Sequence, residues 1–176
     1  RTLKQKAPKE TGIHKWTWYM DEAGVERASR RNRTRNSEPG GITVKPGTYK
    51  AVLSFGDQSS EKQITVMSDP RLNISTANIN EVYNTLKDLE SAQETMANAV
   101  KQLIESKEIA EKFQSELKKL DKEKYKDDIK SSKDIVKKID EIIDVYLGKV
   151  DERQGITRNP EVTINTRLSL ARGYVQ

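Results

Sequence analysis

Apolar and polar positions alternate with a period of two in the first part of this chain, and beyond Pro70 they recur at spacings of three and four. A period of two marks a strand with one covered face; a period near 3.5 marks a helix that packs along a seam. The chain therefore reads as α+β, with a small antiparallel β module over residues 1–70 and a helical module over 71–176. Asp69-Pro70 is the expected boundary, because proline cannot donate to a ladder and restricts the residue before it.

Within the first module, Ile13 to Tyr19 alternates, with His14, Trp16 and Trp18 on one face. Its aromatic and β-branched content predicts a strand, with the Trp face turned to the core. Asp21 to Gly41 is rich in Arg, Asn and Ser, closes on Pro39-Gly40-Gly41, and reads as a long loop. Lys45-Pro46-Gly47 predicts a turn. Tyr49 to Phe55 and Glu61 to Met67 predict two strands of a hairpin reversed at Gly56-Asp57. Thr2 to Gln5 could add a fourth strand, leaving an exposed edge that invites pairing with another chain.

The helical module carries the strongest pattern. Val82, Leu86, Leu89, Met96, Val100, Leu103, Ala110, Phe113, Leu117 and Leu120 form one stripe, with Gln93 and Lys107 at two seam positions. Thr76 or Asn78 is the expected cap, Asn78 with Glu81 resembling a capping box. Lys107 is expected to mark a bend, or the point where the helix leaves its partner. After a charged turn, Asp121 to Asp128, a second stripe runs Ile129, Ile135, Val136, Ile139, Ile142, Ile143, Tyr146 and Leu147, with Gly148 as a C-terminal stop. Asn159-Pro160-Glu161 predicts a third helix start, followed by Ile164, Leu168, Ala171 and Val175. Three striped helices on short links imply an antiparallel three-helix bundle whose first helix outreaches the others. The Val82–Leu89 end should then be covered by the third helix, the sheet or a second chain.

Composition narrows the chemistry. Cysteine is absent, which removes disulfides, thiolate metal sites and thiol nucleophiles. No apolar run reaches the roughly 20 residues of a membrane span. The chain opens on Arg1 rather than Met, which reads as a piece of a longer protein. The net charge of +5 is matched by the five arginines of one loop: Arg27, Arg30, Arg31, Arg33 and Arg35. That loop could meet phosphates, but it has no aromatic residue to stack on bases. Nucleic acid is disfavoured, and a solvated loop lying on a neighbouring domain is favoured.

His14 is the only histidine and has no carboxylate motif beside it, although Tyr19 and Asp21 lie near. Asp121, Glu123, Asp127 and Asp128 are interleaved with Lys and lack the glycine of a calcium loop. Glu108 with Lys112 and Asp134 with Lys138 read as surface i,i+4 pairs. No residue is assigned a catalytic, cofactor-binding or metal-ligating role.

Several segments together resemble a known family. Gly12-Ile13-His14-Lys15-Trp16-Thr17-Trp18, Val44-Lys45-Pro46-Gly47-Thr48-Tyr49 and Val66-Met67-Ser68-Asp69-Pro70-Arg71 precede a long helix, and Gly155 to Pro160 precedes the last one. This order is similar to the C-terminal region of bacterial sortilin-like β-propeller proteins, labelled glycosyl hydrolases or BNR-repeat proteins. The resemblance covers nearly the whole chain from Gly12 onward. It implies an Ig-like sheet, incomplete by strand count, followed by a helical tail. It also implies an upstream propeller as partner and export beyond the inner membrane of a Gram-negative bacterium. No Asp-box occurs here, so no family residue is carried over. The reading is a non-catalytic accessory domain for domain packing or protein interaction. The alternatives are a part of a glycoside hydrolase with its active site upstream, and a coiled-coil module that dimerises through the long helix.

Overall fold

The computed structural model describes residues 1–4, 6, 9–31, 38–150 and 162–175. It is a mixed α+β chain with strands β1 (Asp21–Ala23), β2 (Gly40–Thr43), β3 (Gly47–Phe55) and β4 (Gln58–Val66), followed by helices α1 (Thr76–Asp121), α2 (Lys126–Leu147) and α3 (Ile164–Val175). By packing it divides into two units, Arg1–Gly24 with Asn36–Asp88, and Val25–Arg35 with Leu89–Gln176. Among the described residues no helix is long and apolar enough to cross a membrane.

In the first unit the strands form two separate antiparallel pairs, β1–β2 and β3–β4. The β3–β4 hairpin is the one predicted, with both strands starting earlier, at Gly47 and Gln58, and the second ending at Val66 rather than Met67. Gly56 takes φ 57° at the first turn position, where a two-residue hairpin of the II′ kind needs a residue without a side chain. The β1–β2 pair joins the two ends of the expected Asp21–Gly41 loop, and β2 continues past it to Thr43. The pair forms because glycines let the backbones close: a Cβ on Gly24 would sit 2.4 Å from the Gly40 carbonyl oxygen. The Gly24 amide donates to the Pro39 carbonyl at 2.8 Å, and the Val44 amide to that of Met20 at 2.8 Å.

Ile13 to Tyr19 is not a strand. Among the described residues no strand takes its ladder, and Met20 with φ 57° turns the chain at its end. Trp16 is exposed and Trp18 only half-buried, so the core lies elsewhere. Ile42, 1% exposed, forms it together with Val44 and Leu86 of α1. Trp18 instead sets its ring edge against Tyr49, with centroids 5.8 Å apart, and donates its Nε1–H to the Asp21 carbonyl at 2.9 Å. Residues 1–4 are not a strand either; the Thr2 amide donates to Glu38.

Helix α1 has 46 residues and is about 69 Å long at 1.5 Å per residue. Its cap is Ser75 rather than Thr76 or Asn78: Ser75 Oγ accepts the Asn78 amide at 3.1 Å. Asp69, in the turn before it, accepts the Arg71 amide and guanidinium, and these bonds hold its carboxyl below the ordinary range.

In the second unit Met96, Ala97, Val100 and Leu117 of α1 are buried with Ile129, Ile139 and Ile143 of α2. The two helices meet closely, since the hydroxyl of buried Ser132 donates to the Ala110 carbonyl at 2.8 Å. Lys107 does not leave the seam; its Nζ reaches both oxygens of Asp140 at 2.7 and 2.8 Å. Asp121 Oδ1 accepts the amides of Glu123 and Lys124 and closes the turn between the helices, an Asx turn in place of the calcium loop considered above. Gly148, with φ 81°, stops α2 as expected.

Helix α3 packs against α2. Thr163 caps it reciprocally with Thr166: each hydroxyl accepts the other residue's amide, at 3.2 and 2.7 Å. The expected start at Asn159-Pro160 lies outside the described residues.

On α1 the predicted stripe positions Val82, Phe113 and Leu120 are exposed, whereas Leu86 is buried and Leu89 half-buried; on α2 the stripe positions Ile135 and Ile142 are exposed as well. The packed face follows Leu86, Met96, Val100, Lys107, Ala110 and Leu117, leaving Phe113 and Leu120 on its flank.

Candidate functional site

The best-built polar cluster of the first unit centres on Glu22, which the short strand β1 holds against the first turns of α1. Tyr83 and Lys87 lie four residues apart, on one helix face. The Tyr83 hydroxyl donates to Glu22 Oε1 at 2.5 Å, and Lys87 Nζ lies 2.8 Å from Oε2. Lys45, after β2, stands with Nζ 4.6 Å from the centre of the Tyr83 ring, a cation–π distance, and donates to Asn80 at 3.2 Å. Burial pushes the Glu22 carboxyl up. The hydrogen bonds from Lys87 and Tyr83, with the Lys87 charge, more than reverse this and hold it below its ordinary range. The bond to Glu22, with burial, raises the Tyr83 phenol. Both carboxylate oxygens are engaged by neighbours, so the cluster works as a clasp between β1, the Lys45 turn and α1. None of its members was singled out as a site residue in the sequence, Lys45 being named only as part of a turn. The one signal was Tyr83-x-x-x-Lys87 beside an apolar stripe, which does not name Glu22.

The arginine loop belongs in part to the helical unit. Arg30 donates through Nη2 to Asp144 Oδ1 and to the Gly148 carbonyl, both at 2.5 Å. A cation on the last carbonyls of a helix satisfies orphan acceptors and meets the negative end of the dipole. Arg30 is thus an α2 cap rather than a solvated side chain, while Arg27 and Arg31 are exposed. Arg33 and Arg35 lie outside the described residues.

The structure does not bring the other candidates together. His14 is exposed and its Nε2 lies 2.9 Å from the Glu10 carbonyl; Tyr19 is also exposed. Asp21 pairs with Arg1. Among the described residues the i,i+4 ion pairs that close are Lys101–Glu105, Lys107–Glu111 and Lys137–Glu141, each at 3.9 Å, rather than the expected Glu108–Lys112 and Asp134–Lys138. Among the described residues no three His, Asp or Glu side chains gather as a metal site would require.

The hairpin β3–β4 of the first unit is largely uncovered. Its register puts Tyr49, Leu53, Phe55 and Ile64 on one face with Gln58, Ser60 and Lys62, and Lys50, Val52, Glu61 and Gln63 on the other. Leu53 is 50% and Phe55 68% exposed, and among the described residues no strand pairs with either outer edge. A lone hairpin is marginal in water, and an apolar face with two open edges is a surface built for contact.

No family model matches this chain, and neither a curated protein nor a solved structure matches it.

Proposed function

We propose that this chain is a non-catalytic accessory unit of a larger exported protein of the sortilin-like β-propeller kind, acting through its surfaces. The observation that carries the reading is the open apolar face of β3–β4. Leu53, Phe55 and Ile64 are already partly covered, so burying the rest of each would stabilise a contact by roughly half of the about 1.5–3 kcal/mol that full burial is worth. In this reading the hairpins belong to an Ig-like module completed by contact with the propeller, and α1, α2 and α3 form a three-helix bundle that braces it. The sequence resemblance supports the propeller as partner and the periplasm or exterior as location.

Calorimetric titration of the whole chain against the parent's separately purified propeller tests the proposal. Binding that is lost on Phe55→Ser and Leu53→Ser is the expected result. Binding unchanged by both substitutions, or no binding by the intact chain, would overturn it.

A further inference from the structure

The segment Ile13–Tyr19 alternates like a strand and has no ladder, while β3 has an edge without a strand; both belong to the first unit. The course of the chain sets them side by side. Asp21 of β1 faces Thr43 of β2, and the Val44 amide donates to the Met20 carbonyl at 2.8 Å. In an antiparallel pair the residues before Met20 run back along those after Val44, which lead into β3. Trp18 already sets its ring edge against Tyr49 of β3, with centroids 5.8 Å apart. The extra residues on the β3 side, Lys45-Pro46-Gly47, are the turn that separates it from β2. Beyond Trp18 the segment is open to water: Ile13 is fully exposed and Trp16 is exposed.

Taken as a cross-strand pair, Trp18 and Tyr49 fix the register of the residues before them. Trp16 falls opposite Ala51 and His14 opposite Leu53, on the apolar face of the hairpin. Thr17, Lys15 and Ile13 fall opposite Lys50, Val52 and Ser54, on the other face. The backbone bonds fit the same register. Phe55 and Gln58 flank a two-residue turn and exchange both their bonds, so β3 turns every second residue from Phe55 back to Gly47 toward β4. Thr48, Lys50, Val52 and Ser54 therefore aim their amides and carbonyls outward, where among the described residues no strand takes them. Thr17, Lys15 and Ile13 stand opposite three of these four. The side chains agree as well. Trp16 meets the small Ala51, no like charges stand directly opposed, and Lys50 is neutralised by Glu61 at 3.1 Å.

We propose that Ile13–Tyr19 is a strap that closes on the outer edge of β3 as a third antiparallel strand, with Met20 as its hinge. Met20 holds φ at 57°, a region that side chains rarely adopt, so the open position carries backbone strain that rotation at the hinge relieves. Closure adds Trp16 to the face of Tyr49, Leu53 and Phe55 and covers one of the two open edges. Strap and edge both lie in this chain, so the inference does not rest on the proposed role beside a propeller, and either can fail alone.

Disulfide trapping in the whole chain, at high dilution and without any partner, is the test. The chain has no cysteine, so only introduced thiols react. Lys15→Cys with Val52→Cys places thiols on directly opposed residues, about 5.5 Å apart between Cα atoms in the closed strap and within disulfide reach. Lys15→Cys with Ser54→Cys, two residues out of register, is the control. In a glutathione buffer the first pair should cross-link within the chain roughly tenfold faster than the second. Thr17→Pro, which removes a donor from the new ladder, should slow the first pair by about tenfold. Once cross-linked, the Lys50 and Ser54 amides should exchange at least about tenfold more slowly than in the reduced form, as a ladder requires and a passing contact does not. Equal rates for the two pairs, indifference to Thr17→Pro, or unchanged exchange at Lys50 and Ser54 after cross-linking would each overturn the strap.

Discussion

Ser132 of α2 gives its hydroxyl proton to the main-chain carbonyl of Ala110 on α1, 2.8 Å away, and is itself buried. A side chain so short can bond the opposite backbone only where the two helices run close together. Small residues on both sides, alanine and serine, permit that approach. Ser132→Leu should therefore overpack the contact and destabilise the chain by about 1–3 kcal/mol, with Ser132→Ala costing about 1 kcal/mol or less. Urea unfolding followed by circular dichroism reads both.

Core and stripe should separate cleanly under truncation. Ile143 is 2% exposed, and Ile143→Ala should cost about 2–5 kcal/mol. Phe113→Ala, at an exposed position, should cost clearly less than this, about 1 kcal/mol or under. Equal losses at the two sites would contradict the packing described.

Arg30→Ala should fray the end of α2. Hydrogen exchange at residues 144–148 should speed up, and stability should fall by about 1 kcal/mol, since two charge-assisted bonds and a favourable dipole contact are lost. Arg30→Lys should retain the charge and part of the effect, because a single ammonium lacks the planar fork.

The Glu22 clasp should make stability depend on pH at both ends. The Glu22 carboxyl is held below its ordinary value, so its contribution is present above about pH 4.5 and is lost as pH falls through the lowered value. The Tyr83 phenol is raised above its ordinary value, so its contribution is present below about pH 10 and is lost as pH rises through the raised value. Glu22→Gln should flatten both limbs of a stability–pH curve. A variant curve parallel to that of the parent chain would mean that the clasp contributes nothing to folding.

The residues differ in how much of this they announced. The β3–β4 hairpin, the long α1, and α2 with its stop at Gly148 were legible because each rests on local periodicity and on turn residues with a conformational need. Ile13–Tyr19 misled because alternation describes a strand's faces but not whether a neighbour will take its ladder. The β1–β2 pair was hidden for the opposite reason: close approach at Gly24, Gly40 and Gly41 leaves no hydrophobic signal, only the loss of side chains. Glu22 with Tyr83, Arg30 with Asp144 and Lys107 with Asp140 are long-range polar choices, and one chain's pattern cannot pair them. Phe113 and Leu120 matched the stripe by spacing, yet a few tens of degrees of rotation put them on a flank instead of in the seam.

The central claim is that this chain works through surfaces it leaves open, and the β3–β4 face is the most direct place to measure it. Amide hydrogen exchange can be compared between the chain alone and the chain joined to the propeller that the proposed function gives it. The account predicts fast exchange on the outer edges of Gly47–Phe55 and Gln58–Val66 in isolation, and slowing by an order of magnitude or more once joined. Equal exchange in the two settings would contradict it, because the hairpin would then be as uncovered beside the propeller as it is alone.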